Sequence, residues 1–288
     1  MGRAISTHAP RKSKAALARE LGISRQSLYY TPTLPGKDMT LKASIEHVMA
    51  DHRAYGHKRI AMELGINKKC VLRVMKLFGL QPQRRRKKHP EKPQDRGAAP
   101  MEIPNRIQGL LVTRPNQIWV ADFTYLPYQN RFVYLATVED LFTRKILGWS
   151  VSVRHTADLV TDALLDAMSR HCKPEIFHSD QGSEYRSELF LGTLKQEKIL
   201  PSMSEKASPT QNGFKESFYS QFKLELGHPD CHETMGELIE AIALQIHYYN
   251  TSRIHTALKC APDIFAKRYE LSQNFIPLTE VKQKGVSV

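Results

Sequence analysis

A carboxylate stands in the middle of a segment that otherwise has the marks of a buried β-strand. In Trp119-Val120-Ala121-Asp122-Phe123-Thr124-Tyr125 the neighbours of Asp122 on both faces are mostly apolar, aromatic or β-branched, which is the composition of a central strand. An isolated ionised carboxylate costs several kcal/mol there unless it is paired or holds a metal ion. The fold of this chain must therefore bring a compensating group to that strand. Asp180 follows Ile176-Phe177-His178-Ser179 and precedes Gln181-Gly182, a strand-to-loop exit of the kind where ligands collect in open α/β sheets. Glu216 lies in a helical segment in which Phe214, Phe218 and Phe222 form an i, i+4, i+8 stripe for the core. It is two residues from Phe218, about 200° round the helix, and so faces elsewhere. Lys223, seven residues on, returns to the Glu216 face roughly 10 Å away. That is too far for an ion pair, but both could line one groove, the acid at a metal and the lysine on a phosphate.

Taken singly, each acid has a dull reading: a bulge cap for Asp122, a turn cap for Asp180, a solvated helix residue for Glu216. Taken together, on a strand, a strand exit and a helix, they suggest a site for divalent ions. Clustered carboxylates raise one another's pKa, and Mg²⁺ removes that penalty. Two such ions roughly 3.5–4 Å apart can activate water or a 3′-hydroxyl and stabilise the leaving oxygen of a phosphodiester.

The surrounding pattern predicts strands over 118–126, 132–138 and 146–153, the first two joined by a polar turn near Gln129-Asn130. A helix over 156–171, a strand near 175–178, a helix near 187–197 and apolar Ile199-Leu200 come next. A three-strand meander and then alternating helix and strand give a mixed α/β sheet.

Charge divides the chain. The net charge is +13, yet residues 1–100 carry 22 Lys and Arg against 7 Asp and Glu, and residues 101–288 carry 20 against 22. Such asymmetry suggests a nucleic-acid-binding arm on a near-neutral body. Within the arm, Leu17-Ala18-Arg19-Glu20-Leu21-Gly22-Ile23 recurs 43 residues later as Ile60-Ala61-Met62-Glu63-Leu64-Gly65-Ile66. Each copy is followed by an N-cap candidate, Ser24 or Asn67, and a second helical segment. A small residue (Ala18, Ala61) lets two helices cross, a glycine four later (Gly22, Gly65) allows the positive φ of a sharp turn, and Leu28 or Val71 packs the second helix back. This is a helix-turn-helix pattern, and it places Arg25 and Gln26, then Lys68 and Lys69, where a recognition helix would meet a DNA major groove. A helical hairpin used only for packing is the plainer reading. Beyond it, Arg84-Arg85-Arg86-Lys87-Lys88 lies among Pro82, Pro90, Pro93, Pro100 and Pro104. Apolar periodicity stops there, and a basic extended linker is expected, each neutralised phosphate adding affinity and salt dependence. The expected units are helix-turn-helix modules at 10–35 and 38–81, a linker at 82–115, a catalytic core with a helical extension at 116–270 and a tail at 271–288.

No apolar run approaches the roughly 20 residues that span a bilayer, and Met1 to Lys14 lacks the apolar core of a signal peptide. Cys70, Cys172, Cys231 and Cys260 are scattered, with neither a disulfide framework nor zinc-ligand spacing. A cytoplasmic protein without membrane partners is expected.

The acids carry a family resemblance. Thirty-five residues lie between Asp180 and Glu216, so the trio matches the DD(35)E pattern of retroviral integrases and related transposases. The words Trp119-x-x-Asp122-x-Thr124-Tyr125, His178-Ser179-Asp180-x-Gly182-x-x-Tyr185, Glu216-Ser217-Phe218-x-x-x-x-Lys223 and Tyr249-Asn250-x-x-Arg253-x-His255 closely resemble the second-frame products (OrfB) of bacterial IS3-family insertion sequences, as does Leu258-x-x-x-Pro262-x-x-Phe265. The resemblance spans about residues 50–268. It implies an RNase H-like mixed-sheet core preceded by all-α helix-turn-helix modules. Asp122, Asp180 and Glu216 would bind two Mg²⁺ ions, with Mn²⁺ as a substitute. The implied chemistry is nicking of an element's 3′ ends by water and attack of the 3′-hydroxyl on another strand.

By the same resemblance Lys223 contacts end DNA, and Arg253 and His255 belong to a family block that either contacts DNA or packs and caps a helix end. Trp119 reads as core. Expected partners are double-stranded DNA (terminal inverted repeats and target), further copies of the chain on that DNA, and the upstream-frame product (OrfA) or a fusion with it. The loop Ser208-Pro209-Thr210-Gln211-Asn212-Gly213 departs from the usual family wording, and neither a retroviral zinc module nor a leucine-heptad segment is present in the sequence. A non-catalytic DNA-binding regulator of transposition and a general RNase H-like nuclease are the competing functions.

Overall fold

The computed structural model describes residues 13–29, 34–83, 103–204 and 213–274. The basic run Arg84 to Lys88, the loop 205–212 and the chain beyond 274 lie outside the described residues, as do the side chains of 213–216.

The two repeat copies share a turn and differ in the segment after it. Helix α1 (Lys14–Glu20) starts on the Ser13 hydroxyl, which accepts from the Ala16 amide, and the chain turns at Gly22 with φ +64°. A short 3₁₀ helix, Arg25–Tyr29, stands where a second helical segment is expected. In the second copy, α3 (His57–Glu63) turns at Gly65, also φ +64°, into α4 (Lys68–Leu77), whose Lys69 amide is capped by the Asn67 side chain. Only glycine adopts such a φ without strain. With α2 (Leu34–Asp51), α3 and α4 enclose a core of Ile45, Tyr55, Ile60, Val71 and Val74, all fully buried. Arg73 closes α4 on α2 through two bonds to the Asp38 carboxylate.

The body is a five-stranded sheet. Strands β1 (Ile118–Tyr128), β2 (Arg131–Asp140) and β3 (Ile146–Ser152) form an antiparallel meander, and β4 (Ile176–Ser179) and β5 (Leu200–Met203) add in parallel on the other side, giving the order β3-β2-β1-β4-β5. β1 is thus central. Helices α5 (Ala157–Arg170) and α6 (Glu188–Gln196) cover one face, packing on Trp119, Ala121, Ala136 and Val138. On the other face, α7 (Gly213–Leu226) and α8 (Met235–Thr251) pack on Leu126, Tyr128, Val133 and Leu135. Side chains alternate along a strand, so Asp122 shares the α7 face with Leu126. On the α5 face a Cβ added to Gly148 of β3 would stand 2.4 Å from the Ala163 carbonyl, so only glycine admits α5 at this distance. Helix α9 (Pro262–Asn274) completes the described chain.

The helical arm is docked on the body. Ile254, just past α8, packs into the α2–α4 core, its amide donates to the Tyr55 hydroxyl (2.7 Å) and its carbonyl accepts from Arg59 Nε (3.0 Å). His52 Nδ1 and the Tyr248 hydroxyl share a further bond at 2.6 Å.

Candidate active site

Two of the three acids meet where β1 and β4 run side by side. Val120 pairs with His178 in the parallel ladder, and Asp122 and Asp180 each stand two residues further on. The two therefore lie just past the last pair of this ladder, Asp122 inside β1, which runs on to Tyr128, and Asp180 immediately after the carboxyl end of β4. This is where open α/β sheets place ligands. Both carboxylates take local backbone donors: Asp122 Oδ1 accepts from the Phe123 amide at 2.8 Å and Asp180 Oδ1 from the Gly182 amide at 3.0 Å. Both are partly buried rather than fully enclosed.

Helix α7 is tied to the same point. The Tyr219 hydroxyl, fully inside the protein, donates to the main-chain carbonyl of Asp122 and bonds Thr137 Oγ1 at 2.9 Å. Thr137 is the residue opposite Asp122 on β2. Glu216 precedes Tyr219 by three residues, one turn along α7 and on the same face. Its backbone thus belongs to the turn anchored at Asp122, while its side chain lies outside the described residues. No group of three His, Cys, Asp or Glu side chains able to hold a metal is found among the described residues, which omit that carboxylate.

The setting fits hard cations. A buried phenol, Tyr185, sits beside both acids. Burial, then the charges of Asp122, Tyr219 and Asp180, push it well above the usual tyrosine range, and its hydroxyl has no hydrogen-bond partner. It therefore stays neutral next to an excess of carboxylate, and carboxylate oxygens are the donors Mg²⁺ prefers. Burial likewise drives His178 down to about 4, so this imidazole, bonded through Nδ1 to Ser202 Oγ at 2.9 Å, adds no positive charge beside Asp180. A fourth acid that sequence reasoning passed over, Glu184, lies across Gly182 from Asp180. A Cβ on that glycine would stand 3.0 Å from Glu184 Oε2 and 3.1 Å from Asp180 Oδ1. Glu184 is buried and bonds His155 Nδ1 at 2.8 Å, and the His155 ring lies over Phe123 and Tyr134.

The remaining expected residues fall in different places. Lys223 holds its ammonium 4.6 Å from the ring centroid of exposed Tyr125, on the same helix as Glu216. Arg25, Gln26, Lys68 and Lys69 are all exposed at the start of their helical segments. Trp119 is core, fully buried, with Nε1 donating to Asn116. For Arg253 the structure shows the packing alternative: it is 3% exposed, and its guanidinium is bonded to Glu225 (2.7 and 3.0 Å) and Gln221 (3.2 Å), so it fastens α7 to the end of α8. His255 also turns inward. Its amide pairs with Cys260, its buried Nδ1 has no hydrogen-bond partner, and burial with Arg144, Arg253 and Arg59 nearby depresses it to about 4. Asn250, in the same sequence block, donates to and accepts from the backbone of Ile146 at 2.9 Å, latching α8 to β3. Only the block's spacing from the end of a helix hinted at this.

Known proteins agree with this arrangement. A family model described as an integrase core domain matches residues 112–209, and a second of the same description matches residues 197–262. The transposase for insertion sequence element IS904 of Lactococcus lactis is 40% identical over 76% of this chain and 89% of its own length. The putative transposase InsK of IS150 and the transposase InsF of IS3A, both from Escherichia coli, are 32% and 31% identical over 84% and 82% of the chain and 89% and 87% of theirs. Among solved structures, a simian T-cell lymphotropic virus intasome in complex with PP2A regulatory subunit B56 gamma aligns at a TM-score of 0.50 and 19% identity. That alignment covers 85% of this chain and 80% of that one, a likeness of fold. With relatives this similar over nearly their whole length and a mixed sheet with Asp122 on β1 and Asp180 just after the neighbouring β4, the chain belongs to the IS3-family insertion-sequence transposases with a DDE catalytic core.

Proposed function

We propose that Asp122, Asp180 and Glu216 together hold two divalent ions and that this centre cleaves insertion-sequence ends and joins them to a second strand. The observation that carries the reading is a convergence: two carboxylates just past the last pair of the β1–β4 parallel ladder, and the helix of the third tied by Tyr219 to the carbonyl of the first. Bound there, a pair of Mg²⁺ ions, or Mn²⁺ in their place, would activate water or a 3′-hydroxyl and stabilise the leaving oxygen. The chain's own residues set the stage. Neutral Tyr185 and neutral His178 add no positive charge beside the acids. Tyr219 keeps the Glu216 turn in register with β1. Lys223, braced on Tyr125, offers its ammonium to a strand phosphate on the face of α7 that carries Glu216.

DNA recognition is assigned to the helix-turn-helix units at 10–35 and 38–81 through Arg25, Gln26, Lys68 and Lys69, and to the basic stretch Arg84 to Lys88 in the 82–115 linker. The unit at 116–270 supplies chemistry, and 271–288 forms a tail. Bringing two element ends together requires more than one protomer on DNA, and the upstream-frame product or a fusion with it is a further partner. No helix among the described residues is long and apolar enough to cross a membrane, in keeping with a DNA-associated bacterial protein of the cytoplasm. The test uses Asp122→Asn, Asp180→Asn and Glu216→Gln on terminal-repeat DNA. Each is expected to abolish Mg²⁺-dependent cleavage and joining while leaving DNA binding intact. Wild-type rates in any one of them would remove that residue from the centre.

A further inference from the structure

His155, in the segment between β3 and α5, is held from three sides. Its Nδ1 is bonded to Glu184 Oε1 at 2.8 Å. The Phe123 ring lies within 6° of parallel to the imidazole, with centroids 6.4 Å apart, and the Tyr134 ring stands 5.0 Å away. Braced in this way, His155 still has 55% of its side chain exposed, while Glu184 has 8%. Nδ1 faces the protein, so Nε2, on the opposite side of the ring, is the nitrogen left for a partner from outside.

The same loop sets Glu184 and Asp180. A Cβ on Gly182, between them, would meet Glu184 Oε2 at 3.0 Å and Asp180 Oδ1 at 3.1 Å. A carboxylate behind an imidazole fixes the ring and its protons, which is how proteins aim a histidine at a group in front of it. A pair with one exposed partner adds little to stability, yet burying a carboxylate is costly unless it is bonded. A buried acid, a braced ring and an outward nitrogen together have the form of an oriented donor. The surface leads on from there. Tyr134 pairs with Tyr125 across β2 and β1, and Lys223 holds its ammonium 4.6 Å from the Tyr125 ring. A row of rings thus runs past Asp122, with His155 at one end near Asp180 and Lys223 at the other on the helix of Glu216.

We propose that His155, aimed by Glu184, donates its Nε2–H to one backbone phosphate of the DNA strand lying on the acids. Both ring nitrogens then donate, and the imidazole is a cation between two anions, the carboxylate behind it and the phosphate in front. The inference rests on the reading of Asp122, Asp180 and Glu216 as a DNA-cleaving centre and adds a strand contact beside it. A phosphate contact sets register without reading sequence, so His155 places the strand and leaves the choice of DNA to other parts of the chain.

The test scans single methylphosphonates, each removing one phosphate charge, through the phosphates around the cleaved bond of terminal-repeat DNA. Binding by the full chain is measured without divalent metal. Wild type is expected to lose about tenfold in affinity at the contacted phosphate, the worth of one hydrogen bond between charged groups. His155→Gln is expected to bind unmodified DNA about tenfold more weakly and to lose its sensitivity at that one position, since the two changes remove the same contact. His155→Arg, which restores a cationic donor, should recover most of the affinity. Thermal unfolding is followed in parallel, and the exposed ring of His155 makes its loss a small disturbance to the fold. Asp122→Asn is expected to keep the wild-type pattern of sensitive positions, so a failure of the metal-centre reading would show in cleavage and leave this result intact. End DNA bound by wild type with no methylphosphonate weakening it, or a folded His155→Gln protein that keeps the wild-type sensitivity at every position, would each overturn the contact.

Discussion

Helix α7 is held differently on its two flanks. Toward the acids it is fixed by a neutral group, the Tyr219 hydroxyl, bonded to the Asp122 carbonyl and to Thr137. Away from them it is fixed by a buried ion pair, Arg253 with Glu225, backed by Gln221. A cation used as the anchor at Asp122 itself would offset the charge of the carboxylates in the proposed metal centre. On the second flank, beyond the width of the helix, a full charge does no such harm, and its bonds are the stronger kind. A helix that presents a carboxylate to the proposed metal centre has to be positioned within a fraction of an ångström. Here that precision comes from splitting the work: hydrogen bonding without charge near the chemistry, paired charge behind it.

The comparison breaks most visibly at the ion pair. Arg253→Ala leaves Glu225, whose side chain is 8% exposed, buried and uncompensated. A loss of about 3–5 kcal/mol is expected, read as a lowered denaturant midpoint, with Glu225→Gln in the same background recovering part of it. Tyr219→Phe should cost less, about 1–2 kcal/mol for bonds lost to buried partners. It should nevertheless slow strand cleavage far more than it weakens DNA binding, because the helix loses its register on Asp122. A Tyr219→Phe protein with wild-type cleavage would show that the neutral anchor is dispensable.

The smallest effect sharpens the charged flank through pH. His255 is depressed to about 4 by burial and three arginines, so the native state binds fewer protons than the unfolded state between that value and an ordinary histidine's 6.5. Its neutral form is favoured by folding, and the stability linked to it is complete above pH 6.5 and drains away as pH falls toward 4. In denaturant titrations His255→Gln should flatten part of that decline. His178, depressed by burial alone, keeps the remainder. An unchanged pH slope would mean that His255 is not held neutral.

Legibility in the sequence tracked the distance over which each signal acts. The alternation around Asp122 predicted β1 within two residues of its end, and the helix over 156–171 brackets α5. These are local patterns that burial reinforces. The repeat was equally clear, and both glycines take the same φ of +64°. Yet only the second copy continues into an α-helix. Val71 is fully buried against Ile45 and Ile60, whereas Leu28 is only partly covered, and a 3₁₀ turn of five residues succeeds the first glycine. Identical turn chemistry does not make a helix where no core receives it.

Of the two readings of Arg253, the sequence could not single out packing for a similar reason. Its partner Glu225 is 28 residues away on another helix, and nothing in Tyr-Asn-x-x-Arg announces an inward guanidinium. Docking of the arm through Tyr55 and Ile254, 199 residues apart, was equally invisible. The approach of Asp122 to Asp180 was partly readable, since one lies within an apolar run and the other follows one, but the ladder that sets their strands side by side is a property of the folded sheet.

The most direct trial of the central claim is the cleavage of terminal-repeat DNA by the Glu216→Gln protein in Mg²⁺, run beside wild type at matched DNA occupancy. The metal-centre account expects bound but uncut DNA from the variant; cutting and joining at the wild-type rate would contradict it.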